Sequence, residues 1–445
     1  MFHLKLKETL NNSIHKVCSD ISSFVYTPGK DYSRVRKLPA DQVISYLISQ
    51  GGASTKCEWL DFFQLSPETP TVSALNQRRS QLKPEAFEAV FQLFTTSALN
   101  LAMKDYDPQY QYIAADGSTI SFSSRPRFAS DEYYISEGHS ASGFYSMHIN
   151  AFYDLNTHIY TNALIQPAHQ KDEFSAFCTL VDNHISMTDR KTIFIGDRGY
   201  CSYNNMAHVI EKEQYFLFRT KDKNRKGLIG NFHFPDKNEF DITVNVTLTR
   251  SHRKSIKIQD GFYRRYVDQA ASFDYIKYGS DDTYNLTFRI VRFAISKNTY
   301  ECIVTNLPEK TFPAEKLREV YNSRWSIESS FRKLKYTIGL SFYHSYKPDF
   351  IIQEIWAKLI AYNATEFLVN KAALSQGKCK YTYAVNFTLA AHICRIYLRL
   401  LTEIDSIDVI TLLKKELIPV RPDRQFPRLQ TAHFRKPKYL IYRAA

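Results

Sequence analysis

No uninterrupted apolar run in this chain approaches the ~18 residues that a membrane-spanning helix requires, so no membrane span is expected. The start, Met1-Phe2-His3-Leu4-Lys5-Leu6-Lys7-Glu8, lacks the apolar centre of a signal peptide. The seven cysteines, at 18, 57, 178, 201, 302, 379 and 394, include no C-x-x-C pair. That spacing argues against a zinc site or a disulfide framework and fits reduced thiols in the cytoplasm. Tryptophan is confined to Trp59, Trp325 and Trp356. Acids are outnumbered, 45 Asp and Glu against 58 Lys and Arg, which leaves a net charge of +13. Such an excess suits a polyanionic partner. With 445 residues the chain can bury a large core and hold two or three subdomains.

What the chain does contain is concentrated between Tyr321 and Lys335, Tyr-Asn-Ser-Arg-Trp-Ser-Ile-Glu-Ser-Ser-Phe-Arg-Lys-Leu-Lys. On one continuous helix at about 100° per residue, Arg324, Glu328 and Lys335 fall roughly 300°, 340° and 320° from Tyr321. The four then share one face, a lone carboxylate beside two cations and a phenol. That set suits a metal ion bound next to a polyanion; the alternative is a solvated charged face.

Two aspartates upstream favour the metal. Gln111 to Thr119 is a short apolar run ending in Asp116-Gly117, and Lys191 to Tyr200 repeats the design, ending in Asp197-Arg198-Gly199. Both predict a strand followed by a turn. In open α/β sheets, catalytic groups gather beyond the carboxyl ends of the strands. Asp116, Asp197 and Glu328 can therefore converge on one or two hard, oxygen-seeking cations.

These residues resemble the DDE transposases of the insertion sequence 4 family, cut-and-paste enzymes with a ribonuclease H-like core. The resemblance rests on Asp116 in Ala-Asp-Gly-Ser, Asp197 in Gly-Asp-Arg-Gly-Tyr, and Glu328 within the Tyr321, Arg324, Glu328, Lys335 signature, and covers roughly residues 25 to 375. It implies an α/β fold: a ribonuclease H-like mixed sheet with helices, interrupted by an antiparallel β insertion, plus an N-terminal helical domain. The predicted segments are a helical DNA-binding domain (1–105), the first part of the core (106–218), the β-rich insertion (219–305), the second part of the core (306–375), and a basic C-terminal helical region and tail (376–445).

The alternating runs at 240–248, 284–293 and 299–304 support the insertion directly, as antiparallel strands. Some relatives stack a tryptophan from this insertion on a flipped base. Here the insertion has none; Phe262, Tyr263 or Tyr266 could stack instead, with ordinary sheet packing the alternative. The core is predicted to contain strands at 143–153, 158–166 and 214–219, helices at 172–183 and 203–212, and an amphipathic helix at 351–374 covering the sheet. His169 and Glu173 follow the third strand and lie near the site or in a solvated loop. Arg198 and Tyr200 position the loop of Asp197, touch DNA, or simply pack.

Residues 4–24, 39–50 and 56–64 are predicted helical. Thr69-Pro70-Thr71 is predicted to cap a helix carrying Gln77, Arg78, Arg79 and Gln81. A polar, basic last helix resembles helix-turn-helix geometry, in which Arg78 and Arg79 would contact DNA. A small helical bundle is the alternative. After Arg421, Arg424, Arg428, Arg435, Lys436, Lys438 and Arg443 are opposed only by Asp423, a tail suited to nonspecific phosphate contact.

Phosphodiester transfer would use two Mg2+ ions, or Mn2+ in their place, held by the three acids. Arg324 and Lys335 would grip phosphates, and Tyr321 would orient one. The resemblance implies cleavage at terminal inverted repeats and joining to target DNA, with double-stranded DNA as partner, a homodimer on DNA, and a cytoplasmic, nucleoid-associated location. A ribonuclease H-like nuclease without strand transfer, or a DNA-binding regulator derived from a transposase, are the alternatives.

Overall fold

The computed structural model describes residues 2–34, 36–102, 109–136, 143–185, 190–223, 225, 227–230, 232–253, 256–374, 383–399 and 407–420. The basic tail beyond Arg421 lies outside the described residues.

The chain opens with helices α1 (Phe2–Ser19), α2 (Ala40–Ser49), α3 (Thr55–Phe62), α4 (Val72–Arg79) and α5 (Glu85–Ala102). Ser54 and Thr71 cap α3 and α4, their hydroxyls accepting from the amides of Cys57 and Ala74. Pro70 therefore lies outside α4, and its carbonyl accepts the indole N–H of Trp59. α5 has no counterpart among the predicted helices; its Phe87, Val90, Phe91, Phe94 and Ala98 recur at helical spacing and are fully buried.

The core follows as β1 (Tyr110–Phe122), β2 (Tyr134–Ile135), β3 (Phe144–Asp154), β4 (Ile159–Pro167), α6 (Glu173–Asp182), β5 (Lys191–Gly196), α7 (Tyr203–Glu211) and β6 (Tyr215–Thr220). β1 does not end at Asp116 as predicted. Gly117 lies opposite Asn150 of β3, and the pairing runs on to Phe122 opposite Tyr145. Continued pairing to β3 keeps the Asp-Gly dipeptide extended where a turn was expected.

The order β4-β3-β1-β5-β6 has antiparallel pairs on the β3 side and parallel pairs from β1 through β5 to β6. This is the ribonuclease H-like arrangement. The insertion supplies β7 (Phe240–Thr249), β8 (Phe262–Tyr266), β9 (Thr283–Ser296) and β10 (Thr299–Thr305). It forms no separate sheet: β10 pairs antiparallel to β6, extending the core into a 10-stranded sheet among the described residues. The strands are antiparallel as predicted except for β8, which runs parallel to β7.

The second part of the core holds α8 (Ala314–Ser323), α9 (Trp325–Arg332), a π-helical turn (Lys333–Ile338) and α10 (Pro348–Leu374). β11 (Tyr383–Val385), α11 (Phe387–Arg399), α12 (Val409–Lys415) and β12 (Leu417–Pro419) close the described chain. α10 was expected to be amphipathic. It is buried nearly all round, because the N-terminal helices pack on the side facing away from the sheet. Consequently, among the described residues, the N-terminal helices share the core of the rest: one buried cluster joins Leu6, Val43 and Phe94 to Leu359, Tyr321 and Ile195. A second cluster, with Ala115, Phe177, Phe194 and Val246, fills the opposite face of the sheet.

Candidate active site

The parallel ladder between β1 and β5 ends at Ala114 opposite Ile195. Alternation along the strands then puts Asp116 and Asp197, each two residues farther on, on the face of the sheet that carries α8 to α10. One carboxylate oxygen of each is fixed by a following amide: Asp116 Oδ1 accepts from Gly117 N at 2.9 Å, and Asp197 Oδ1 from Gly199 N at 2.7 Å. Burial pushes the Asp116 carboxyl up to about 6. The Gly117 amide and Arg324 oppose that rise, while the charges of Asp197 and Glu328 add to it. Asp197 and Glu328 are thus near enough to act on Asp116, although among the described residues no three such side chains close into ready metal-binding geometry.

Glu328 reaches this place on a run that is helical throughout but not one regular helix. The chain stays right-handed through Arg324, between α8 and α9, then widens into the π-helical turn that carries Lys335. α9 is locked to the sheet by Tyr160, whose hydroxyl lies 2.8 Å from that of Ser330. Glu328 is 43% exposed and accepts from Arg324 Nη2 at 3.0 Å. Arg324 is buried, with its guanidinium 5.0 Å from the ring of Trp325, which is 54% exposed. Lys335 donates from Nζ to the Thr119 carbonyl of β1 at 2.9 Å.

These positions revise the expected roles of the signature. Tyr321 is 2% exposed, inside the main core, so its phenol does not face solvent where a phosphate would arrive. Arg324 is held on Glu328 with its Nε buried and unpartnered, rather than extended toward an anion. Among the four, Glu328 and Lys335 present their polar ends at the surface.

A transposase DDE domain family model matches residues 107–364, more than half of the chain. The chain belongs to this family. The resemblance to the insertion sequence 4 family is borne out with it: one curated relative is the transposase InsG for insertion sequence element IS4 of Escherichia coli (strain K12). That relative is 27% identical over 130 residues, 26% of this chain and 28% of the relative. The protein y4zB of Sinorhizobium fredii (strain NBRC 101917 / NGR234) is 21% identical over 169 residues, 38% of this chain and 40% of that protein. The matched stretches thus span less than half the length of these curated relatives. A solved structure of a piggyBac transposase synaptic complex with hairpin DNA covers 88% of this chain and 77% of that chain. Its TM-score is 0.44 at 9% identity, too loose to assign residues.

Outside the DDE domain, the two arginines expected to contact DNA have parted company. Arg79 is buried, donating to Glu354 at 3.0 Å, to Gln353 at 2.8 Å and to the Phe350 carbonyl, all on α10. Its donors serve the interior, so it is no DNA contact here. Arg78 is half-buried, stacked 3.5 Å from the Tyr32 ring centroid and donating to the Leu38 carbonyl and to Gln81. It lines a cleft of about 770 Å3 together with Lys30, Arg34, Arg36, Lys37 and Gln77. The basic loop before α2, rather than α4 alone, gives this cleft its charge.

The remaining candidates divide likewise. Tyr200 is buried against Gly196, whereas Arg198 is exposed. His169 is exposed with a ring nitrogen 2.7 Å from the Tyr134 carbonyl. Glu173 pairs with His148 Nε2 at 3.1 Å and with Lys171 at 2.9 Å; the His148 ring beside it, more than Lys171, holds its carboxyl down at about 2. Nothing in the sequence pattern marks His148, which the pairing of β3 with β1 delivers. Among the insertion aromatics, Phe262 and Tyr263 are half-buried, and Tyr266, 41% exposed, stacks on His252 at 3.8 Å. β8 ends level with Thr249 at the start of β9, the end of the sheet away from Asp116 and Asp197.

Proposed function

We propose that this protein is a DNA transposase that cuts at the terminal inverted repeats of an insertion sequence and joins the ends to target DNA. What supports this reading is that the charges of Asp197 and Glu328 act on the buried Asp116 carboxyl past the end of the β1–β5 ladder, in a chain of the DDE family. Their donors are all carboxylate oxygens, the hard ligands that Mg2+ or Mn2+ selects, so the donor chemistry suits such ions once the three side chains close on them. Bound there, the ions would lower the pKa of an attacking water or 3′-hydroxyl and stabilise the leaving oxygen.

The chain's own groups prepare that site. The amides of Gly117 and Gly199 each fix one aspartate oxygen and leave the other available. Arg324 neutralises Glu328 until a cation takes its place, which keeps three carboxylates tolerable together. Lys335 can release the Thr119 carbonyl for a phosphate flanking the cut, a charge-assisted contact stronger than the one it gives up. The cleft lined by Lys30, Arg34, Arg36, Lys37 and Arg78 takes the backbone of the element end, and two ends would be paired by a homodimer.

The test is incubation of purified protein with Mg2+ and a labelled duplex of its element end, beside the Glu328→Gln variant. Cleavage at the end, lost in the variant while binding persists, supports the three-acid mechanism. Joining of the cut end to a second DNA separates a transposase from a plain nuclease. Binding without cleavage by the wild-type protein would point to a regulator.

A further inference from the structure

Behind Asp116, on the opposite face of the same strand, lies a pair of side chains to which neither the family signature nor the mechanism above gives a part. His148 of β3 is 2% exposed, yet it is an ionisable residue set among strands. Its Nε2 lies 3.1 Å from Glu173 Oε1, and its Nδ1 lies 3.4 Å from Thr119 Oγ1. Glu173 comes from the start of α6 and is held from its outer side by Lys171 at 2.9 Å. The pair presses on Gly117. A Cβ built there would fall 2.4 Å from His148 Nε2 and 3.2 Å from Glu173 Oε1. No side chain larger than hydrogen fits while the pair is in place.

Gly117 is also the residue whose amide holds Asp116 Oδ1 at 2.9 Å. One peptide unit thus has the histidine–glutamate pair on one side and the first acid of the proposed metal site on the other. We propose that His148 and Glu173 are positioning residues for Asp116, setting through the Gly117 backbone the angle at which its free oxygen meets a cation. The idea rests on the three-acid reading of the site. Groups that orient a metal ligand from behind are commonly worth about 10- to 100-fold in metal affinity.

Calorimetric titration of the purified full chain with Mn2+ alone tests this without relying on turnover. Wild type is compared with Asp116→Asn, His148→Ala, His148→Gln, Gly117→Ala and the His148→Ala/Gly117→Ala double variant, with thermal melting as a check on folding. The expected result is Mn2+ binding that needs Asp116 and is weakened about tenfold in His148→Ala. His148→Gln, which keeps a donor for Glu173, should recover most of the loss. Gly117→Ala should weaken binding similarly, and the double variant should be no worse than either single one, because both disturb one contact. Wild-type affinity in His148→Ala would overturn the positioning role and leave the three-acid site standing. Wild-type affinity in Asp116→Asn would overturn the three-acid reading and this proposal with it.

Discussion

Asp116 and Asp197 stand level with each other, each two residues past the Ala114–Ile195 pair that ends the parallel ladder, and each with one oxygen tied to a glycine amide. Neighbouring parallel strands lie about 4.8 Å apart, which suits two acids sharing ions between them. The arrangement is costly without a cation. Burial and two neighbouring carboxylates raise Asp116 from 3.8 to about 6. A raised acid weakens the fold where it is ionised, so the cost is absent below about pH 4, grows as pH rises through 6, and stays constant above. Asp116→Asn should therefore stabilise the metal-free protein by ~2 kcal/mol at pH 7.5. The gain should fade toward pH 4, as read from urea denaturation at the two pH values.

Arg324 should matter to chemistry more than to folding in the presence of metal. Its guanidinium contacts Glu328 and opposes the rise of the Asp116 carboxyl. Arg324→Ala should slow single-turnover end cleavage about 10- to 100-fold, the scale for losing a group that orients a metal ligand. Arg324→Lys should recover little of it, since an ammonium cannot reproduce the fork that lies between Glu328 and the Trp325 ring.

Arg79 provides the opposite case. It is 3% exposed and spends its donors on α10, so its replacement leaves Glu354 buried with a partner missing. Arg79→Ala should cost about 3–5 kcal/mol of stability. Wherever the variant remains folded, its affinity for the element end and the salt dependence of binding should match wild type. A loss of affinity with unchanged stability would restore the DNA-contact role given to it from sequence.

The cleft in front of α4 is tested by its ionic-strength signature. Replacing Lys30, Arg34, Arg36 and Lys37 by alanine removes four charges from its rim. If each meets a phosphate, the slope of log affinity against log salt concentration should fall by about 3 to 4. Titrations between low and moderate salt would measure it, with melting temperature near wild type because these side chains are exposed.

Much of this protein could be read along the chain. Strand periodicity ending in Asp116 and Asp197, and the signature around Glu328, depend on local spacing, and local spacing places the acids on elements of the right kind. The alternation in 240–248 and 284–293 likewise marks strands, since side-chain direction repeats every two residues. What lay beyond the sequence was decided by partners distant in the chain. Pairing with β3 carries β1 through Asp116-Gly117, where the dipeptide alone signals a turn. Packing of the N-terminal helices on α10 turns Arg79 inward and makes a central helix of one expected to be amphipathic. Crowding beside Glu328 buries Tyr321 and Arg324, which helical angles alone would leave on an open face. His148 meets Gly117 only across the sheet. Sequence singled out the residues proposed to carry the chemistry, because residue type and short-range period suffice for that. Tertiary structure decided which of their charges are spent on the interior and which face a substrate, because burial depends on contacts between segments hundreds of residues apart.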